Sequence, residues 1–452
     1  MPELPEVTTV INTLKQNILG ERIKDIKINY GKLIKNVDEK TFKKSLIGEE
    51  IVDILRKGKY LIFVLTSFYM VVHLRMEGKF YLGDDREINV HDHIIFSLTD
   101  KFLHFLDTRK FGTFYLFPKT TDIYKIEPLV NVGDEPFVLD YQELFKKAKK
   151  SDKPVKTFLL DQKNVSGLGN IYVDEVLFKS RINPFTSTKT LKEEDYKLLI
   201  ENAILTLNKA IKLGGTTIRS FHSAQEVTGR FQNELLVHTK TVCPNCGLPI
   251  IKTKVGGRGT YYCPNCQKTN KVLIGICGRI GSGKSLVKTF LKYRYLNLDD
   301  VVKELYKNQR IRHKVISIIG ESEFSKEKVW KALENESLAQ KITDFLYPFV
   351  YEKMFDFVFG SKEKVVVIEG AFLLESIYRK CFDKIVLISA SDDVIIKRLM
   401  ARDKLSIEQA KTRLGLASKR TDCDIEIINN GTIEEFRKKV ETVFKEIENG
   451  LA

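Results

Sequence analysis

Apolar residues at Val7, Val10, Ile11, Leu14 and Ile18 recur at the spacing of one helical face, so the chain is expected to open with a helix running from Pro2-Glu3-Leu4-Pro5-Glu6-Val7 to about Leu19-Gly20. From residue 22 to 117 the period shortens to two, in short segments punctuated by glycine, which predicts a twisted antiparallel sandwich. The most apolar run, Tyr60 to Leu74, contains Thr66, Ser67 and His73 and falls short of the ~20 residues that span a bilayer. Helical periodicity then returns. Lys146 to Pro154 is charged and helix-breaking and reads as a linker, and Thr190-Leu-Lys-Glu193 reads as a capping box for a helix that reaches Leu213 and stops at Gly214-Gly215. After Lys271 strands and helices alternate, the pattern of a parallel sheet wrapped by helices.

A chain of 452 residues exceeds one core and suggests about three domains. The expected fold class is therefore multidomain: an antiparallel β-sandwich with an N-terminal helix, a helical domain, a cysteine-bearing β-hairpin and an α/β domain. The net charge of +15, from 74 basic and 59 acidic residues, suits a polyanionic partner. Residues 201–270 concentrate it, with nine basic against three acidic side chains. Seven cysteines with three of them lying singly fit a reducing cytosol better than a disulfide scaffold, and no signal peptide is evident, so a soluble cytoplasmic protein is expected.

Cys243-Pro-Asn-Cys246 and Cys263-Pro-Asn-Cys266 have the spacing of four thiolates on one tetrahedral zinc, and four thiolates leave no position for a catalytic water. Between them Val255-Gly-Gly-Arg258-Gly-Thr reads as a hairpin whose tip carries Arg258. Further on, Gly278-Arg-Ile-Gly281-Ser282-Gly283-Lys284-Ser285 follows a buried strand and forms a complete phosphate-binding loop. Its glycines free backbone N–H groups for ATP phosphates, Lys284 adds charge and Ser285 can ligate magnesium.

The first residues carry a different chemistry. If Met1 is removed, Pro2 presents a secondary amine that titrates near ~8, with Glu3 beside it to shuttle protons. Attack by that amine on a sugar carbon gives an iminium that acidifies neighbouring protons and permits elimination.

Pro2-Glu-Leu-Pro-Glu-Val resembles the start of formamidopyrimidine-DNA glycosylases, enzymes that excise oxidised purines and cleave the abasic site, and the resemblance extends over residues 1–268. It implies Pro2 as Schiff-base nucleophile, Glu3 as general acid/base with Glu6 in support, and Lys59 as the lysine that assists β-elimination. Met76, Arg109 and Phe111 match the family's void-filling triad, in which apolar wedges occupy the gap left by a flipped base while Arg meets the orphaned partner. His91, next to His93, and Asn170 in Gly167-Leu-Gly-Asn match phosphate-contacting positions. Asn170 would lie in a helix–two-turns–helix motif, Arg219 in the loop that reads the base, and Arg258 at the finger tip tied to δ-elimination. The family's further DNA-contacting lysine aligns with or beside Asp152, leaving Lys150 and Lys153 as substitutes.

Residues 271–440 resemble dephospho-coenzyme A kinase through Asp299, Leu346-Tyr-Pro348, Phe372-Leu-Leu-Glu375, Arg398-Leu-Met-Ala-Arg402-Asp and Asn429-Asn-Gly. The resemblance implies Asp299 as base for the 3′-hydroxyl and Arg402 as a lid residue at the transferring phosphoryl group. Arg279, Asn297, Tyr347 and Glu369 depart from the family pattern. The expected domains are 1–135, 136–236, 237–268 and 271–452. The expected partners are duplex DNA with oxidised purines or abasic sites, and ATP with dephospho-coenzyme A. No membrane partner is expected, and a monomer is expected for the glycosylase half. An endonuclease VIII-like first half, or a nucleoside monophosphate kinase or inactive nucleotide-binding second half, stay open as alternatives.

Overall fold

The computed structural model describes residues 2–83, 89–216, 229–415 and 420–450. The chain divides into two compact units, one of residues 1–240 and 254–262, the other of residues 241–253 and 263–452.

In the first unit the opening helix spans Leu4–Ile18 and buries Val7, Val10, Ile11, Leu14 and Ile18. Its valines and isoleucines are indifferent helix formers, by up to about 0.7 kcal/mol each. Burial at roughly 1.5–3 kcal/mol per side chain outweighs that, so packing holds the helix. Two four-stranded antiparallel sheets receive it. One runs in the order Ile51–Lys57, Tyr60–Leu65, Phe68–His73, Thr113–Pro118. The other runs Asp25–Ile28, Asp92–Ser97, Phe102–Leu106, Lys79–Gly83. The apolar run from Tyr60 is thus a hairpin of two sheet strands. Inward residues such as Ile54, Phe63, Phe80, Phe96, Phe105 and Phe114 interleave between the sheets as one core.

Leu4 belongs to a second core, formed by the helices Tyr141–Lys149, Val155–Leu160, Asn170–Lys179 and Glu193–Lys212. The first turn of the opening helix therefore lies where sandwich and helical layers meet. Two local expectations shift. Lys146 to Lys149 continue a helix that buries Leu144 and Ala148, so the break is confined to residues 150–154. The capping box also moves: the Thr190 hydroxyl donates to Ser187 O (2.8 Å), and the long helix starts after Lys192, whose N–H donates to Asp195 Oδ2 (2.8 Å). At the finger, the chain turns through Gly256 and Gly257, both at positive φ, into the strand Arg258–Tyr262, as expected for a hairpin tip.

The second unit carries a five-stranded parallel sheet in the order Arg294–Asn297, Val365–Glu369, Val272–Cys277, Lys384–Ser389, Ile425–Ile428. Every residue of the central strand Val272–Cys277 is buried, as its unbroken apolar pattern requires. In such sheets ligands bind beyond the carboxyl ends of the strands, which is where the loop from Gly278 to Gly283 begins. Among the described residues no helix is long and apolar enough to cross a membrane.

Candidate functional site

Glu3 and Glu6 organise the first site, each as an acceptor at a helix N-terminus. The Glu3 carboxylate accepts from the backbone N–H of Gly169 (2.7 Å) and Ile171 (3.0 Å), capping the helix Asn170–Lys179 from across the unit. Glu6 accepts from the Glu3 N–H (2.9 Å), the Tyr172 hydroxyl (2.6 Å) and the Thr216 N–H (2.8 Å). The approach of Glu3 explains why residue 169 is a glycine: a Cβ there would lie 2.3 Å from Glu3 Cδ. Pro2 is buried beside them.

Lys59 is 4% exposed, and its ammonium makes no hydrogen bond or ion pair among the described residues. Burial pushes its pKa down, against the pull of Glu3 and Glu6, and Arg258 pushes in the same direction as burial. Burial raises Glu3, countered by the Lys59 charge and by the N–H groups of Ile171 and Tyr172. Burial also drives His73 to about 3, with Arg75 and Lys59 adding to it, so this imidazole is neutral. The site thus holds an amine biased toward its free base and a carboxyl biased toward its acid, the polarity that proton transfer near neutral pH requires.

A buried network holds the strand bearing Arg258. The Lys156 ammonium, fully enclosed, donates to Asp174 Oδ1 (2.7 Å), Gly259 O (2.8 Å) and Thr260 Oγ1 (2.9 Å). Asp174 in turn accepts from the Tyr261 N–H (3.2 Å) and meets His238 Nδ1 (2.8 Å). Asn170 donates to Gly259 O (2.9 Å) and so joins this network. Lys156 was missed from sequence, where Lys150 and Lys153 drew attention. The signal available was a lysine among the buried positions of a short helix.

Met76, Arg109 and Phe111 lie on two loops whose tips are set by uncommon backbone. Arg75 and Lys110 both take φ of 58°. Buried Asp107 accepts from the N–H groups of Arg109 (3.0 Å), Phe111 (2.8 Å) and Gly112 (2.7 Å). His93 Nε2 holds Asp107 O at 2.8 Å, so this histidine is spent on the loop and His91, half-buried, is left at the surface. Phe111 is 51% exposed with the Arg109 guanidinium 4.7 Å from its ring centroid. An aromatic left in water on an ordered loop is what a wedge needs. Arg219 lies outside the described residues.

The four cysteine Sγ atoms all lie within 4.8 Å of one another, with Cys243 to Cys266 at 3.7 Å and Cys246 to Cys263 at 3.5 Å. A tetrahedron with Zn–S of about 2.3 Å has edges of roughly 3.8 Å, so these thiols fit zinc.

In the second unit Gly278, Gly281 and Gly283 take positive φ, with the buried Ser282 inside the turn they form. The Lys284 ammonium curls back to donate to Gly278 O (2.7 Å) and Arg279 O (3.0 Å), and burial lowers its pKa. The Ser285 hydroxyl donates to Glu369 (3.0 Å). Asp299 stands exposed in the first turn of the helix Leu298–Leu305, which Asn297 caps by accepting the Asp299 N–H (2.8 Å). The departure at Asn297 is therefore a working helix cap. Arg402 is held by its neighbour Asp403 (2.8 and 2.9 Å). Asn429, noted in sequence only as part of a motif, donates to Ser282 O (2.8 Å) and fixes the loop from behind.

Comparison with known proteins follows this division. Residues 1–114 match the formamidopyrimidine-DNA glycosylase N-terminal domain, 132–222 its H2TH domain, 242–269 the zinc finger found in FPG and IleRS, and 272–435 dephospho-CoA kinase. The formamidopyrimidine-DNA glycosylase of Mycoplasma mobile is 46% identical over 275 residues, 60% of this chain and all of that protein. That of Bacillus cereus is 45% identical over 59% of this chain and 99% of its own. The crystal structure of Lactococcus lactis Fpg with abasic-site DNA has a TM-score of 0.55 at 42% identity, covering 59% of this chain and 99% of that one.

Proposed function

The chain belongs to the formamidopyrimidine-DNA glycosylase family, and from that premise we propose that it couples excision of oxidised purines from duplex DNA to a second, ATP-dependent phosphoryl transfer onto the 3′-hydroxyl of dephospho-coenzyme A. Its proposed domains are 1–135, 136–236, 237–268 and 271–452. The glycosylase works as a monomer and the protein acts in the cytoplasm.

The observation that carries the first activity is the electrostatic coupling of buried Lys59 with buried Glu3, next to Pro2. After removal of Met1, the Pro2 nitrogen attacks C1′ of the damaged nucleotide, the glycosidic bond breaks and the base leaves, giving a ring-opened iminium. Glu3 in its acid form donates the proton that sugar-ring opening requires. Loss of a C2′ proton then expels the 3′ phosphate, with Lys59 assisting, and Arg258 serves the second elimination that frees the 5′ phosphate. Met76 and Phe111 fill the vacated stack and Arg109 meets the partner base, while His91, Asn170 and Arg219 hold phosphate and base.

For the second activity, the glycines of the loop and Lys284 receive the ATP phosphates, and Ser285 would hold a magnesium ion, which would supply charge neutralisation on them. Asp299 takes the proton of the acceptor hydroxyl and Arg402 leaves Asp403 for the transferring phosphoryl group. Zinc holds the finger. Borohydride reduction during incubation with a duplex containing 8-oxoguanine opposite cytosine tests the first reading. A covalent adduct at Pro2 is expected, absent when Met1 is retained, and an adduct on a lysine overturns it. Incubation with ATP, magnesium and dephospho-coenzyme A tests the second, and preferential transfer to adenosine monophosphate overturns it.

A further inference from the structure

At the end of the strand Val365–Glu369 the resemblance to dephospho-coenzyme A kinases implies an aspartate, and this chain has Glu369. The extra methylene carries the carboxylate into a corner between three elements. Glu369 is 3% exposed. One oxygen accepts from the Ser285 hydroxyl on the helix that follows the phosphate loop (3.0 Å), and the other accepts from the Tyr295 hydroxyl on the adjacent edge strand (2.8 Å). The register explains the reach. Asn297 pairs with Glu369 and Tyr295 with Val367, so the tyrosine lies two residues back on the same face of the neighbouring strand as Asn297 and points its phenol along the sheet.

A buried carboxylate with a free oxygen would be costly, and one that swings would not present Ser285 consistently. With both oxygens occupied by hydroxyl donors it does neither. Burial and the Glu369 charge hold the Tyr295 phenol above its ordinary pKa, so it stays a donor throughout the neutral range. A serine that donates its proton to Glu369 keeps its lone pairs turned outward, the orientation needed to bind a divalent cation.

We propose that Tyr295 is a positioning residue for the cation that accompanies ATP, holding Glu369 so that Ser285 presents its oxygen to the metal. This rests on reading the unit as a kinase. The tyrosine and the glutamate then act as a compensated pair: the longer acid needs a second donor, and the edge strand supplies it. Tyr295 occupies the Glu369 oxygen that Ser285 leaves open.

The test uses the full chain and magnesium as the probe. ATP affinity is measured by calorimetry with and without magnesium, and phosphoryl transfer to dephospho-coenzyme A is titrated with magnesium. Tyr295→Phe keeps the ring and loses one hydrogen bond to a charged group, so metal-free ATP affinity is expected to be unchanged. The magnesium concentration for half-maximal ATP tightening should rise about tenfold or more. In the Glu369→Gln background the same change should add less than about twofold, because the carboxylate it positions is gone. A thermal melt of each variant separates this from loss of fold. Equal effects of Tyr295→Phe in both backgrounds, or an unchanged magnesium requirement, overturn the proposal and leave Tyr295 a packing residue. If the wild-type chain transfers no phosphoryl group yet the magnesium shift in ATP binding appears, the kinase reading fails while the positioning role stands.

Discussion

The two catalytic regions handle charge in opposite ways. Around Pro2 the charged groups are enclosed and already placed: Glu3 caps a distant helix, Glu6 takes several donors, and Lys59 is buried with no partner among the described residues. Around Gly278 the groups with assigned chemistry are parked on near neighbours. Lys284 donates to its own loop and Arg402 to Asp403, while Asp299 stands in solvent. A site that must receive a bulky extruded nucleotide pays for preorganisation with buried charge, whereas a phosphate loop can let its ligand displace weak local partners. Glu369 with Ser285 and Tyr295 is an exception in the second region, a corner built as tightly as the first.

The sharpest way to break the comparison is to neutralise one acid in each region. Glu3→Gln keeps an acceptor for one of the Gly169 and Ile171 N–H groups, which use different oxygens of Glu3, and cannot donate as an acid, so single-turnover cleavage of 8-oxoguanine duplex should fall on the order of 10²–10⁴-fold with a modest drop in melting temperature. Asp299→Asn should lower phosphoryl transfer by a similar factor, again of order 10²–10⁴, and leave ATP affinity near normal. Each loss should be confined to its own reaction. If Glu3→Gln instead unfolds the first unit, its role as a helix cap outweighs its chemistry and the site is less a catalyst's than a scaffold's.

Zinc sharpens the boundary between the two. Wild-type protein should contain one zinc per chain by mass spectrometry of metals, and Cys263→Ser should lose it together with most DNA affinity. The four thiols belong to the second compact unit and the Arg258 strand to the first. A parallel loss of phosphoryl transfer would show that the finger also supports the kinase. Asp107→Ala is expected to have a smaller effect. Three backbone N–H groups lose their acceptor, which at roughly 1–3 kcal/mol for a buried unsatisfied group should loosen the Arg109–Phe111 loop and weaken binding to lesion duplex about 10–100-fold. Undamaged duplex should be held nearly as before, and equal weakening of both would remove the loop from lesion recognition.

What the chain disclosed before folding were patterns local in sequence. The opening helix, the alternating strands, the two C-x-x-C turns and the phosphate loop each fit within a few dozen residues, and each is where its spacing requires. What stayed hidden depends on partners brought together from afar. Gly169 needs Glu3, which is 166 residues away in sequence, to explain it. Lys156 has meaning only once Asp174 and Thr260 surround it. Tyr295 reads as an ordinary strand residue until parallel pairing sets Glu369 beside it. The displaced helix start at Lys192 shows the converse, a short motif that fits the rule while the tertiary packing of Leu191 selects another register.

The smallest expected effect tests whether Arg258 belongs electrostatically to the buried site as well as to DNA. Arg258→Ala should lower the slope of log affinity against log salt by about one unit, the signature of one lost phosphate contact. It also removes a cation that pushes the Lys59 pKa below its ordinary value, in the same direction as the larger effect of burial. Removing a like charge makes the ammonium cheaper to hold, so the Lys59 pKa rises, and a step that needs the neutral amine must move to higher pH. The rate of strand cleavage on preformed abasic DNA, followed against pH in saturating enzyme, should therefore show its rising limb displaced to the alkaline side in the variant. A slope reduced by one with an unmoved pH limb would place Arg258 on the phosphate but outside the field of Lys59, and the enclosed character of the first site would then owe nothing to the finger.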